Sequence, residues 1–435
     1  MPLTKITRGA LTADIIDSTK LADNAVDTEH LADDAVEAAE LASDAVVNAS
    51  VDSGAAIADS KLATDPNTWS GTSSGLTAAT GRTSLDVVRS SVGASGHNNP
   101  DEGDQWYDTT INVLKVYDGN DWIGTYTPPY EVDFLVIAGG GSGGRHNGGG
   151  GGAGGLRTSF GNTSGGGQNA QDAITLSSGT TYTIDIGSGA AGVTVDGQGN
   201  NGEASSISGT DITTISCTGG GRGGSTDGSP RTASNGGSGG GGTVNNASGA
   251  GTAGEGYAAG TAANYGSGGG GAAAVGVESA GVTGGDGGAG LQVNIDGNDY
   301  YWAGGGGGSA HGGDGGSVEN AGDGGIGGGG AGSGGGGSLG GTGGGTAKNA
   351  GGNGGASSGG GESAGNGGAN TGGGGGGKNR PGDGQSGNGG AGIVILRMVD
   401  AYYTGSITGN PTVATDVGSS GYTVLTYTGD GTYEA

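Results

Sequence analysis

The side chains that build hydrophobic cores are scarce in this sequence. Phenylalanine and methionine occur twice each, and hydrophobic residues other than glycine make up 31% of the 435 residues, against roughly 40% in ordinary proteins when glycine is left out. A chain of this composition cannot bury one large core, so it is not a set of ordinary globular domains. Proline occurs only 8 times, and glycine comes in runs rather than at every third position, which excludes a collagen triple helix.

Cysteine and long apolar runs are also nearly absent. The single cysteine, Cys217, excludes an intrachain disulfide framework, and we predict that it is a small buried residue. The longest apolar runs, 134–138 and 393–396, have the length of strands and not the roughly 20 residues of a membrane span. Residues 1–10 lack the apolar stretch of a signal peptide. We therefore expect synthesis in a cytoplasm, without a signal peptide or transmembrane segment.

Basic residues are outnumbered 15 to 42 by acidic residues, which gives a net charge of −27. Such a surface repels nucleic acid and anionic lipid, so neither is expected as a partner. The glycine run 139–144 matches nucleotide-binding and nucleophile motifs, but the residues after it cannot form the helix that these motifs require. The four histidines, at positions 30, 97, 146 and 311, are dispersed without metal-ligand spacing. We predict no catalytic residue, cofactor or metal, and no enzymatic activity.

Residues 1–62 contain a ten-residue repeat. A leucine recurs every ten positions with Ile or Val halfway between, in the series Leu11, Ile16, Leu21, Val26, Leu31, Val36, Leu41 and Val46. A continuous helix would drift by about 80° per unit, and a strand would reverse its face at each five-residue step. We predict a turn in every unit and a parallel homotrimer with these side chains in its core. The alternative is a single drifting amphipathic helix, which also needs partner chains.

The rest of the chain divides by composition. Residues 63–104 are typical of a connector, and residues 105–130 predict a small three-stranded β-meander with a turn at 118–120. Residues 131–217 predict the β-strand part of a glycine-rich domain, residues 218–392 its glycine block, and residues 393–435 the C-terminal strands. The expected strands are 132–138, 173–176, 181–186, 211–217, 393–398 and 422–427.

Glycine is the residue present in excess. Residues 218–392 hold 78 glycines, whereas the first 130 residues hold 10. Ordering a glycine backbone costs about 1–2 kcal/mol per residue without side-chain burial in return. The block is therefore either a flexible tract or a structure in which nearly every N–H and C=O is paired. Its punctuation by Asn, Ser, Asp and Ala favours order, and we predict a mainly β fold with a polyglycine-II-like block of short three-residue-per-turn helices.

Three segments resemble phage tail fibres of the cyanophage and marine-phage type. They are the Leu-Ala-x-Asp/Asn-Ala-Val units near the N-terminus, the stretch GDQWYDTTINVLKVYDGNDWIG at 103–124, and the stretch that begins VDFLVIAGGGSGG at 132 and ends with AGIVILRM at 391–398. The resemblance implies a trimeric virion protein that attaches to tail or adaptor proteins by its N-terminus. It also implies a distal glycine-rich part that contacts a bacterial polysaccharide or outer-membrane protein.

Aromatic side chains in loops between glycine runs are the natural receptor contacts, because a flat ring offers contact area at low entropic cost. The candidates are Tyr257, Tyr265, Tyr300, Tyr301, Trp302 and His311. The rings at 300–302 follow a predicted hairpin turn at 296–298, so core positions are an alternative for them. Two other functions remain open: a structural virion fibre without receptor binding, and a non-viral glycine-rich protein such as an ice-binding or surface protein.

Overall fold

The computed structural model describes residues 90–110, 113–124, 128–244, 246–310, 320–357, 362–379 and 383–435. The ten-residue repeat, with Leu11 to Val46, and His311 lie outside these residues. The strands are β1 Ser90–Gly93, β2 Gln105–Asp108, β3 Val113–Tyr117, β4 Trp122–Gly124, β5 Tyr130–Ile137, β6 Leu156–Thr158, β7 Ile174–Leu176, β8 Thr181–Asp185, β9 Ser205–Ser208, β10 Ile215–Cys217, β11 Leu291–Gln292, β12 Tyr301–Trp302, β13 Gly334–Gly335, β14 Ala356–Ser357, β15 Ile393–Val399, β16 Thr412–Ala414, β17 Tyr422–Tyr427 and β18 Gly431–Glu434. Helical structure in the described residues is limited to short 3₁₀ turns.

Strands β1 to β4 form a small sheet. The sequence predicts the antiparallel meander β2-β3-β4, and the structure has it, with Trp106 and Trp122 in edge-to-face contact at 5.6 Å. Strand β1 pairs in parallel with β2. The segment predicted as a connector, 63–104, thus contains β1, and residues 94–104 link β1 to β2.

Two larger sheets pack against each other around the main core. One has the order β16-β17-β15-β5-β6, with β7 also paired to β5, and the other has the order β10-β9-β8-β18. Cys217 is buried in this core, as predicted, and burial raises the pKa of its thiol. The Tyr130 and Tyr433 hydroxyls are 2.8 Å apart, and burial, followed by this hydrogen bond, raises the pKa of Tyr130 far above its ordinary value.

A second core lies on the opposite face of β5 and β15. Because successive side chains of a strand point to opposite faces, Leu135 and Ile137 enter this second core while Val136 enters the first. The centre of the second core is Trp302 of the hairpin β11–β12, and its indole N–H donates to the Val293 carbonyl at 2.9 Å. Both faces of the central strands are therefore covered.

Glycine-rich segments pack beside one another through backbone hydrogen bonds with a period of three residues. In the segment 139–145, residues three apart bond to the same neighbouring segment, and the three series of N–H donors address three different neighbours. The donor–acceptor pairs are Gly139–Glu203, Ser142–Asn200 and Arg145–Gly197; Gly140–Gly390 and Gly143–Gly387; and Gly141–Gly152 and Gly144–Gly149. This is the pattern expected of three-residue-per-turn helices in a lattice. The lattice starts at Gly139, and segments on both sides of the predicted boundary at 217/218 bond to one another within it.

Side chains take the place of missing neighbours at the edges of the lattice. Asn388 accepts a hydrogen bond from the Gly192 N–H at 2.6 Å, and Asp323 accepts one from the Thr342 N–H at 2.6 Å. The Asp323 N–H in turn donates a hydrogen bond to the Asp286 carboxylate at 2.8 Å. The Asn and Asp residues between glycines therefore mark edge positions, where a carboxylate or amide oxygen satisfies an outward-facing N–H.

Replacing Ser205 by alanine should destabilise the junction between the sheets and the lattice. The buried Ser205 hydroxyl accepts from the Gly187 N–H and donates to the Ile137 carbonyl, both at 2.8 Å. Without it the buried Gly187 N–H loses its partner, which costs about 1–3 kcal/mol. Chemical denaturation of Ser205→Ala and of the control Ser206→Ala, whose hydroxyl bond to Asp185 is exposed, checks this. Equal stability of the two variants would contradict it.

Candidate functional site

The lattice segments run alternately away from and back toward the paired sheets. The segment 139–145 leaves β5, and the antiparallel segment 148–155 returns to β6, as the pairs Gly141–Gly152 and Gly144–Gly149 require. The turns between segments therefore gather at two ends. We call the end away from the sheets the loop end; it includes residues 145–147, 194–198, 225–231, 261–265 and 278–283.

Charged side chains meet where three of these loops adjoin. Arg145 Nε lies 3.6 Å from an Asp196 carboxylate oxygen, and His146 Nε2 lies 4.0 Å from an Asp227 oxygen. His146 Nδ1 is 2.8 Å from the Thr226 hydroxyl, and the Thr226 N–H donates to the His146 carbonyl. His146 and Asn147 both have positive φ, so the turn places two functional side chains in a backbone conformation that usually selects glycine.

The same end of the lattice holds two buried cationic side chains. Arg145 is 7% exposed and Lys378 is 1% exposed. Burial, and next the neighbouring Arg145, lower the pKa of Lys378. Arg231 is exposed nearby and its Nε donates to the Gly228 carbonyl at 2.9 Å. The loop end thus holds cationic side chains beside the carboxylates of Asp196 and Asp227.

A shallow groove of about 570 Å³ lies beside the loop 278–283. Val277 and Leu339 contribute half-exposed apolar side chains to it, and Glu278, Asp286 and Asp323 contribute carboxylates. Exposed apolar groups rimmed by polar ones are typical of surfaces that contact another molecule. Val195, on a different loop, is 72% exposed.

The predicted aromatic contacts are distributed between the two ends. Trp302 is fully buried in the second core, which is the core position that the sequence leaves open as the alternative to a receptor contact. Tyr300 packs against it edge-on at 5.9 Å, and Tyr301 is paired in β12. Tyr257 adjoins the 3₁₀ turn Gly165–Gly167, away from the loop end. Tyr265 is part of the loop end and is half-buried there, with its carbonyl accepting from Ser279.

The sequence does not predict the charged loop cluster, which consists of Arg145, His146, Asp196 and Asp227, or the exposure of Val195. Positions 145–147, 196 and 226–227 are far apart in the sequence, and only the register of the lattice brings them together. One signal was present: non-glycine residues interrupt a long glycine run at 145–147.

A family model described as a glycine-rich domain matches residues 118–356. The match covers more than half of the chain, and it contains β5, the first lattice segments and the charged loop cluster. No curated protein matches the chain. No helix long and apolar enough to cross a membrane occurs in the part of the chain that the structure describes.

Proposed function

The chain belongs to the glycine-rich domain family, and from that premise we propose that it is a phage tail-fibre protein whose loop end contacts the host-cell surface. Residues 1–62 would form the trimeric attachment to the tail or to an adaptor protein, through the repeat Leu11 to Val46. The receptor would be a bacterial surface polysaccharide or outer-membrane protein. The likeness of three sequence segments to such fibres supports this assignment.

One observation carries the proposal: the lattice collects its side-chain-bearing loops at one end. The interior of the lattice is backbone packed on backbone, and it offers little surface chemistry. The loops at 194–198 and 225–231 instead carry exposed side chains such as Val195, Asp227 and Arg231. A rigid scaffold with variable loops is the usual arrangement for recognition.

The distribution of charge also supports contact through the loop end. A chain with net charge −27 is repelled by an anionic cell surface unless its contact end is locally less acidic. Arg231 is exposed at the loop end, Arg222 is half-exposed, and Arg145 and Lys378 lie beneath them. The cationic side chains of Arg145, Arg231 and Lys378 offset the carboxylates of Asp196, Asp227 and Glu278 at this end, which reduces its repulsion from an anionic surface.

Adsorption of the full chain to cells tests the proposal. We expect fluorescently labelled protein to bind a subset of strains in a panel of marine bacteria and cyanobacteria, and to block phage adsorption to those strains. Val195→Asp should reduce binding at least tenfold, because it places a charge on an exposed apolar loop contact (about 1.4 kcal/mol). The matched control is Val92→Asp, since Val92 is 75% exposed but belongs to β1.

Two results would contradict the proposal. One is the absence of binding to every strain, which favours a fibre without receptor contact. The other is binding that is lost in Val92→Asp and kept in Val195→Asp, which would move the contact surface away from the loop end.

A further inference from the structure

We propose that the loop end contains a binding site for a divalent transition-metal ion, formed by His146, Asp196 and Asp227. Each residue offers one ligand atom, and the three atoms lie within 4.8 Å of one another. They come from three separate loops, which the lattice register brings together. The inference does not depend on the proposed receptor role.

The hydrogen bonds of Thr226 determine which histidine nitrogen faces the carboxylates as a ligand. The Thr226 hydroxyl donates to the His146 carbonyl at 2.9 Å, so toward His146 Nδ1, at 2.8 Å, it acts as acceptor. The proton of the neutral ring is therefore on Nδ1, and Nε2 presents its lone pair toward Asp227. A lone pair that faces a carboxylate is unfavourable until a proton or a metal ion lies between them. Metal-bound histidines are typically held in this way through their other nitrogen.

Buried oxygen atoms without hydrogen-bond partners provide a second, independent observation. Among the described residues, Asn147 Oδ1 and Gln198 Oε1 are buried and accept no hydrogen bond, and Asp196 Oδ1 also accepts none but faces Arg145. Asn147 is only 8% exposed, and its amide nitrogen lies 3.4 Å from the Thr226 hydroxyl. Buried polar atoms are normally satisfied, so the unsatisfied amide oxygens of Asn147 and Gln198, on the loops that carry His146 and Asp196, point to a cation that the protein itself does not supply.

The geometry suits a small transition ion. Ligand atoms about 2.0–2.2 Å from a tetrahedral Zn²⁺ lie about 3.4 Å apart. The 4.0 Å between His146 Nε2 and Asp227 therefore needs a closure of about 0.6 Å, and the limit of 4.8 Å for the three atoms corresponds to at most about 1.4 Å. Arg145, 3.6 Å from one Asp196 oxygen, would brace that carboxylate while its other oxygen binds the ion. A nitrogen and two carboxylate oxygens favour Zn²⁺ over Ca²⁺, which prefers oxygen alone.

Metal binding to the full chain tests the inference. After removal of metals with a chelator, titration with Zn²⁺ alone should show one site that is lost in His146→Ala and weakened at least tenfold in Asp227→Asn. Thr226→Val should weaken Zn²⁺ by 10-fold to 100-fold, because it releases the orientation of His146. The control His97→Ala, which changes a histidine packed on Trp122 outside the lattice, should leave this site unchanged. Ca²⁺ alone should bind at least tenfold more weakly than Zn²⁺.

The thermal unfolding midpoint of each metal-free variant separates loss of the site from loss of the fold. Unchanged midpoints with lost Zn²⁺ binding support the site. Equal Zn²⁺ binding by the wild type, His146→Ala and Asp227→Asn would overturn it, and so would Ca²⁺ binding as tight as that of Zn²⁺. Adsorption to cells is measured separately, so failure of this site and failure of the receptor role are distinguishable.

Discussion

Replacing Gly306 by alanine is expected to destabilise the glycine lattice by at least about 3 kcal/mol, because backbone that cannot move aside surrounds this residue. Gly306 donates to the Gly151 carbonyl and accepts from the Gly269 N–H, both at 2.9 Å. A Cβ at this position would overlap with the Gly375 carbonyl oxygen, far inside the 3.0 Å that real Cβ contacts respect. One methyl group therefore forces three segments apart.

Gly345→Ala is the matched control for this prediction. A Cβ at Gly345 has no atom within 4 Å, and its φ is not in the left-handed range. Alanine there should leave stability unchanged or raise it by up to about 1 kcal/mol, through the lower entropy of the unfolded chain. Calorimetric unfolding of the two variants checks the pair. Similar unfolding temperatures would mean that the lattice is not close-packed.

Replacing Trp302 by alanine should cost about 3–5 kcal/mol, the range for a large buried aromatic residue. The ring fills the second core against Leu135, Ile395 and Val424, and its N–H bond to Val293 would also be lost. Few other large side chains are available to close the cavity. The loss should appear as a lower midpoint in guanidinium unfolding, with much less effect for Tyr301→Ala at the neighbouring, half-buried position.

The stability and the cell binding of Trp302→Ala together distinguish a core residue from a receptor contact. A folded Trp302→Ala protein with full stability and lost cell binding would restore this residue as a receptor contact. We expect the reverse order, with stability lost first.

Much of the architecture follows from local patterns. The apolar runs at β5 and β15 and the alternating residues of β8 and β17 predict strands that the structure contains, with ends within one or two residues. The short strands β9, β16 and β18 were missed, because Ser, Thr and Gly dominate them and little hydrophobic alternation remains. Their pairing partners, and not their own composition, determine that they are strands.

The sequence predicts that the glycine segments form three-residue-per-turn helices, but it does not predict which segments are neighbours. Glycine density indicates that backbone groups must pair with one another, yet glycine segments are nearly identical in sequence. The local sequence of segment 139–145 does not predict that its hydrogen-bond partners are 197–203, 387–390 and 149–152. The same degeneracy hides which turns reach the loop end. This is why the aromatic candidates were assigned without knowing that only Tyr265 among those described lies there.

Native-state amide hydrogen exchange of the full chain tests the central claim most directly. If the glycine block is a lattice held by backbone hydrogen bonds, the amides of Gly151, Gly306 and Gly375 should exchange as slowly as those of Val136 and Ile395 in the central strands. Exchange of these glycine amides at the rate of an unstructured peptide, with the strands still protected, would contradict the lattice and the loop end built on it.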